Sequence, residues 1–390
     1  MNHRRVPVAV GALAVLLTVG AAAVPAPTPA VAAGSTAGSN RASTPAVRPP
    51  AGVLAQVHTA GRVKDLGPTV RYTWPGVYFE GRFRGTGVGL ALDDAVNDYD
   101  VQVDGATVAT LVTPGRTTRW ITGLTRGTHT VRLVKRTESP AVAGAFGGLR
   151  AVPGGAVLSP PAARHRQIEF IGDSYTAGYG NMSTTRDCSA IGGVDRNSDA
   201  DLAFGAITAR RLGADYQVNA KSGFGVVRNY NGALPEVDYR TYYDRVLQEV
   251  SPEPWRRPAG WRPQLVVVGL GINDFSTPLH AGERWATTDQ LVADYTTSYL
   301  GFVAKLRARY GPRTTIVLSA TAVGDSPVFA DAVRRAVRER NARGDDRVRY
   351  WYYDDPGLDR LGCDWHPSLH DHRIIADQLD SYLATLPLAW

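Results

Sequence analysis

The 390-residue chain has almost no lysine, two cysteines and no block of clustered charge. Each shortage narrows its chemistry. The formal charge of +7 comes from scattered arginines rather than a run, so there is no basic stripe to follow a nucleic-acid backbone. The scarcity of lysine reads as genome composition and implies no function. Two cysteines, Cys188 and Cys363, allow at most one disulfide, the expected state in an exported chain; a pair of unpaired buried thiols is the other reading. Around His366, His370 and His372 the glutamate of a zinc-hydrolase His-Glu-x-x-His helix is missing. No metal or other cofactor is therefore expected.

The N terminus supplies an address. Arg4 and Arg5 precede an apolar run from Val8 to Val24, then Pro25, Pro27 and Pro29, then Ala30-Val31-Ala32. A charged start, an apolar stretch and a small-residue cleavage pattern predict a secretory signal over residues 1–32. Gly11, Gly20 and the prolines argue against a retained membrane span, and the paired arginines lack the flanking residues of a twin-arginine signal. Cleavage would remove Arg4 and Arg5 and no acid, leaving +5. Residues 33–52 are Gly, Ser, Thr, Ala and Pro with little to bury, the composition of a flexible linker.

Two textures follow. Residues 53–160 read as short alternating segments broken by turns: "VYFEGRFRG", "GVGLALDD", "YDVQVDG", "TVATLVTPG", "TRWITGL", "HTVRLVKRT" and "AFGGLRAV". Period-two alternation with such turns predicts an all-β sandwich or jelly roll, and Asp104-Gly105 is a strong hairpin signal. From 161 to 390 the segments "QIEFIG", "DYQVNAKSG", "QLVVVGLG", "TTIVLSAT" and "VRYWYYDD" alternate with predicted helices at 199–212, 286–309, 326–342 and 370–385. Near-continuous apolar strands separated by helices predict a parallel sheet covered on both faces, an α/β/α domain whose chemistry gathers at the strands' carboxyl ends.

Four blocks fall at such ends. Gly172-Asp173-Ser174 follows the first strand, "NAKSGFG" with Gly223 the second, and "GLGINDF" with Asn273 the third; "GCDWHPS" with His366 lies near the C terminus. Alone, Gly-Asp-Ser is an ordinary turn. In this order the set resembles the SGNH (GDSL-like) hydrolases. The wording "FIGDSYTAGYGN", "SGFGVVRNYNG" and "CDWHPS", after a β domain with "VDG", "GLTRGTHTVRLVKRTE" and "FGG", is similar more closely to carbohydrate esterase family two.

That resemblance covers about residues 70 to 385 and implies roles. Ser174 would be the nucleophile and His366 its general base; the Ser174 and Gly223 N–H groups and the Asn273 amide would form the oxyanion hole. Asp364 is taken to orient His366, although it stands two residues before the histidine where the superfamily usually has three; a Ser-His dyad held by a backbone carbonyl is the alternative. Asp173 and Asp274 are read as loop-holding, not catalytic. Among Trp74, Tyr78, Phe79, Phe224, Tyr230 and Trp365, most are read as core and only Trp365 as substrate-binding. The resemblance implies a serine esterase removing acetyl groups from plant cell-wall polysaccharide, xylan or glucomannan; the N-terminal signal makes it a secreted one, and a monomer is expected. An esterase of small or lipid esters, and a carbohydrate-binding protein without turnover, are the alternatives.

Overall fold

The two textures become two sheets. The computed structural model describes residues 52–388 and Trp390; the predicted export signal and the linker up to residue 51 lie outside the described residues. The first sheet is antiparallel and nine-stranded. Its long strands are β1 (Tyr78–Asp94), β2 (Asp98–Val103), β3 (Ala106–Val112), β4 (Gly115–Lys135) and β5 (Gly144–Ala151). Segments predicted as separate strands are joined: "VYFEGRFRG" and "GVGLALDD" are both β1, and "TRWITGL" and "HTVRLVKRT" are both β4. The reason is a register shift between Gly85 and Gly87, where Gly85 has φ +145°. There Thr86 of β1 faces residues 123–126 of β4, so the extra residues bulge from β4 and neither strand ends. The first half of β1 pairs with Val57–His58 and Ala156–Val157, the second half with β5. The β2–β3 hairpin turns at Asp104 and Gly105, both at positive φ (49° and 85°), as a primed turn requires. Tyr72, Phe79, Phe83, Leu90, Tyr99, Leu133 and Phe146 fill this domain's core.

The second sheet is parallel. Its strands β6 (Gln167–Gly172), β7 (Asp215–Ala220), β8 (Leu265–Gly269), β9 (Thr315–Thr321) and β10 (Val348–Tyr353) lie in the order β7-β6-β8-β9-β10. Every residue of β6, β7 and β9 is buried, as a sheet covered on both faces demands. Its helices include α1 (Ser174–Ala177), α2 (Phe204–Arg211), α3 (Ile272–Phe275), α4 (Thr288–Tyr310), α5 (Val328–Ala342) and α6 (Leu369–Leu383). Ser368 caps α6 in a reciprocal capping box with Asp371, which accounts for the helix starting just past His366-Pro367. No helix among the described residues is long and apolar enough to cross a membrane.

Charges hold the sheets together. Arg62, from the β domain, is fully buried, 2.9 Å from Glu169 on β6, with its guanidinium over Tyr243 and Trp255 at 4.6 and 4.4 Å. Arg132 on β4 reaches both Asp201 oxygens at 2.8 Å, and Arg164 bridges Glu80 and Asp215. A buried pair need not add stability over an apolar one, but breaking it strands a charge. Arg62→Leu is therefore expected to lower unfolding free energy in urea by about 3–5 kcal/mol, whereas the double variant Arg62→Met/Glu169→Met should lose less. A loss within about 1 kcal/mol for Arg62→Leu would contradict this account.

Candidate active site

Ser174 opens α1 at the carboxyl end of β6. Gly172 must lack a side chain: a Cβ would stand 2.1 Å from Thr176 Oγ1 and 3.0 Å from the Gly269 carbonyl. Asp173 caps the helix, its Oδ1 accepting from the Tyr175 N–H at 3.1 Å. Burial, with Asp274 nearby, pushes the Asp173 carboxyl up to about 7. Asp274 accepts the N–H groups of Val226, Val227 and Arg228 at 2.9, 2.8 and 3.0 Å. Burial still raises it to about 6 despite those donors. Both acids hold loops, as expected.

His366, 192 residues away in sequence, brings Nε2 to 2.8 Å from Ser174 Oγ. Its Nδ1 lies 2.9 Å from the Cys363 carbonyl and 3.2 Å from that of Asp364. A carbonyl only accepts, so Nδ1 carries the proton and the Nε2 lone pair faces the serine hydroxyl. Burial outweighs those two bonds and lowers the ring's proton affinity below the ordinary histidine value.

Here the expected role of Asp364 is corrected. Its carboxylate accepts from the Tyr179 hydroxyl at 2.9 Å, and the histidine meets only its backbone. The cause is local: Asp364 and Trp365 have φ of +54° and +65°, a left-handed turn that aims the carbonyls of residues 363 and 364 at Nδ1. Asp is among the few residues that accept this conformation readily.

That turn is clamped to the segment after the nucleophile. Cys188 and Cys363 form a disulfide, so the reading as two thiols falls. The Cys363 N–H donates to the Gly180 carbonyl at 3.1 Å and the Asp364 N–H to the Arg186 carbonyl at 2.8 Å. Arg186 donates to the Arg360 and Asp359 carbonyls, both at 3.1 Å, and lies over the Trp365 ring at 3.5 Å. Tyr179 packs on the His366 ring with centroids 4.3 Å apart. Neither Tyr179 nor Arg186 is legible as a site residue: Tyr179 lies within "FIGDSYTAGYGN" with no role assigned to it, and Arg186 carries no motif.

Ser174, Gly223, Asn273, Tyr230, Trp365 and His366 all line one cavity of about 650 Å³. Gly223 has φ +79°, and among the described residues no acceptor meets its N–H. Asn273 sits in α3, whose entry, Gly271, is too close to the Phe329 ring for a Cβ. Its Nδ2 donates to the Phe224 carbonyl at 3.1 Å. Trp74, Tyr78, Phe79 and Phe224 are buried, as read. Tyr230 is not: it is 55% exposed, and with Trp365, 61% exposed, it offers a flat aromatic face at the cavity mouth.

The three histidines do not converge. His372 is buried, its Nδ1 accepting the Phe204 N–H at 3.2 Å, and burial pushes it down to about 3. Asp359, His370 and Asp371 approach one another. However, the Asp371 carboxylate already takes the N–H groups of Asp359, Arg360 and Ser368 at 2.9, 2.8 and 3.1 Å.

Comparison with known proteins agrees with the two sheets. Residues 59–161 match the carbohydrate esterase 2 N-terminal family and residues 170–373 the GDSL-like lipase/acylhydrolase family. An acetylxylan esterase/glucomannan deacetylase of Cellvibrio japonicus is 37% identical over 339 residues, which cover 86% of this chain and 92% of that protein. The cellulase/esterase CelE of Acetivibrio thermocellus is 28% identical over 328 residues, 81% of this chain but 38% of that protein. Among solved structures, a carbohydrate esterase with divergent catalytic and non-catalytic binding functions superposes with TM-score 0.78 at 37% identity, covering 85% of this chain and 98% of that one. A family two carbohydrate esterase from Clostridium thermocellum in complex with cellohexaose gives 0.74 at 28% identity, covering 84% and 98%. An antiparallel β domain, a parallel α/β domain of SGNH type and a relative at this identity over nearly its full length together place the chain in carbohydrate esterase family 2.

Proposed function

We propose that the protein is an exported serine esterase that removes acetyl groups from hemicellulose, xylan or glucomannan, by a Ser174–His366 mechanism. The observation that carries the chemistry is the 2.8 Å contact between Ser174 Oγ and a His366 Nε2 whose lone pair is fixed by carbonyls on Nδ1. The substrate class is supported by the relative named for deacetylating xylan and glucomannan. The exposed Tyr230 and Trp365 rings suit sugar faces. Export is supported by the pattern of residues 1–32.

In this reading Ser174 Oγ attacks the acetyl carbonyl carbon as its proton passes to His366 Nε2. The oxyanion meets the Ser174 and Gly223 N–H groups and the Asn273 amide, each such donor worth roughly 3 kcal/mol in comparable sites. As the carbonyl re-forms, the bond to the sugar oxygen breaks and that oxygen takes the proton from Nε2. Water, deprotonated by the same nitrogen, then attacks the acetyl-Ser174 ester; the bond to Oγ breaks, Oγ takes the proton back from Nε2, and acetate leaves.

Three outcomes are expected. Acetate release from acetylated xylan and glucomannan should fall on the order of ten-thousand-fold or more in Ser174→Ala and ignore a chelator; release independent of Ser174 would sink the reading. Asp364→Asn tolerates the left-handed turn and should stay within a few fold of wild type, while Asp364→Val, which resists positive φ, should lose about 10- to 100-fold in kcat. A loss on the order of thousands for Asp364→Asn would restore its carboxylate as the orienting group. The pH profile follows from His366: the base works neutral, and burial lowers its pKa from 6.5, so the acid limb of kcat/KM should have its midpoint below 6.5. Asp173 titrates nearby, at about 7, so the limb is assigned by its persistence in Asp173→Asn. A midpoint above 6.5 in Asp173→Asn would contradict the burial argument.

A further inference from the structure

The run Lys135-Arg136-Thr137-Glu138, where β4 ends, has no part in the steps above, yet it reaches the loop that carries Gly223 and the chain beyond α1. Glu138 extends from the β domain to Ser222 on the catalytic domain. One carboxylate oxygen accepts the Ser222 N–H at 3.0 Å and the other accepts the Ser222 hydroxyl. The residue after Ser222 is Gly223, whose N–H points to no acceptor among the described residues and lines the cavity.

The direction of that N–H is a matter of backbone torsion. A peptide unit is planar, so the Gly223 N–H is aimed by ψ of Ser222 and φ of Gly223 together. The chain on either side is fastened independently. Lys221 donates its N–H to the Gly172 carbonyl at 3.0 Å and sets its ammonium 2.6 Å from Glu249 and 4.1 Å from the Phe224 ring centroid. The Gly223 carbonyl accepts from the Tyr230 N–H at 2.9 Å. Ser222 is the link between these anchors, and Glu138 grips it by main chain and side chain at once. A carboxylate suits this because it offers two acceptor oxygens. The glycine itself meets nothing within 4 Å where a Cβ would stand, so packing does not hold the turn.

Arg136 acts on the chain beyond α1. Its Nε lies 3.3 Å from Asp199 Oδ2 and its carbonyl accepts the Ala200 N–H at 2.9 Å. Asp199 in turn exchanges two 2.9 Å bonds with the Asn181 side chain, three residues beyond Gly178 at the end of α1.

We propose that Glu138 is a positioning residue for hydrolysis: the β domain, through this carboxylate, fixes the Ser222–Gly223 peptide so that the Gly223 N–H faces the developing oxyanion. This rests on Ser174 as nucleophile and Gly223 as oxyanion donor. Glu138 touches no reacting atom; it acts through Ser222.

The test compares kcat, KM and Tm of the full chain for wild type, Ser174→Ala, Glu138→Ala, Glu138→Gln and Ser222→Ala, with 4-nitrophenyl acetate as probe. Glu138→Ala should lose about 10- to 100-fold in kcat with KM within about threefold, the signature of a misplaced transition-state donor. Glu138→Gln, which still accepts the Ser222 N–H, should recover most of that loss. If Glu138→Ala does not fold, Ser222→Ala, which removes only the hydroxyl contact, should still show a several-fold fall in kcat with Tm kept. Wild-type kcat in Glu138→Ala, or in Ser222→Ala where only that variant folds, overturns the role. So does a kcat loss that Glu138→Gln shares in full and that tracks a lowered Tm. Turnover retained in Ser174→Ala would overturn the esterase reading and this role with it; loss there beside a fully active Glu138→Ala overturns this role alone.

Discussion

The hydrogen bond from His366 Nδ1 to the Cys363 carbonyl is the constraint on which the site depends. It fixes the tautomer, and the tautomer decides whether Nε2 can accept a proton from Ser174. A carbonyl has no full charge, so it orients the ring without stabilising an imidazolium as strongly as a carboxylate would. That is consistent with a ring whose proton affinity lies below the ordinary value. Orientation from main chain also shifts the demand elsewhere, because a carbonyl is only as steady as its loop. The disulfide, the bonds to Gly180 and Arg186 and the tolerance of Asp364 for positive φ all answer that demand.

The neighbouring segments show a common logic. The residues that touch a reacting atom sit at strand ends, where backbone is exposed and small residues let a substrate approach. Their support comes from distant chain: Asp274 holds the loop after Gly223, and the disulfide holds the histidine turn. The β domain is part of this scaffold through Arg62, Arg132 and Arg136. It stands against the catalytic domain as a structural partner.

Much of this was legible in the sequence, for identifiable reasons. The parallel strands are doubly covered, so their apolar runs were nearly continuous and their bounds fell within a few residues. The Ser174, Gly223, Asn273 and His366 blocks are local and ordered, and the cavity gathers all four. The long strands β1 and β4 were read as pieces, because a glycine bulge within a strand looks like a turn between two. Asp364 misled because an aspartate chosen for a left-handed turn reads the same as one chosen for its charge, and a backbone acceptor leaves no signature at all. Glu138, Tyr179 and Arg186 act across separations of 84, 185 and 174 residues, respectively, beyond any pattern of spacing.

The interdomain ion pairs bear on the order of synthesis. Translation delivers the β domain first, so Arg62, Arg132 and Arg136 exist before Glu169, Asp201 and Asp199 have been added to the chain. Until those carboxylates arrive, Arg62 lacks its acid, and Arg132 and Arg136 have only Glu80 and Asp100 of their own domain, at 3.6 and 3.7 Å. Docking of the second domain, not closure of the first, is the step that withdraws them from solvent. A nascent chain halted near residue 160 would carry a cationic face only partly matched by its own acids and shaped for a surface not yet made.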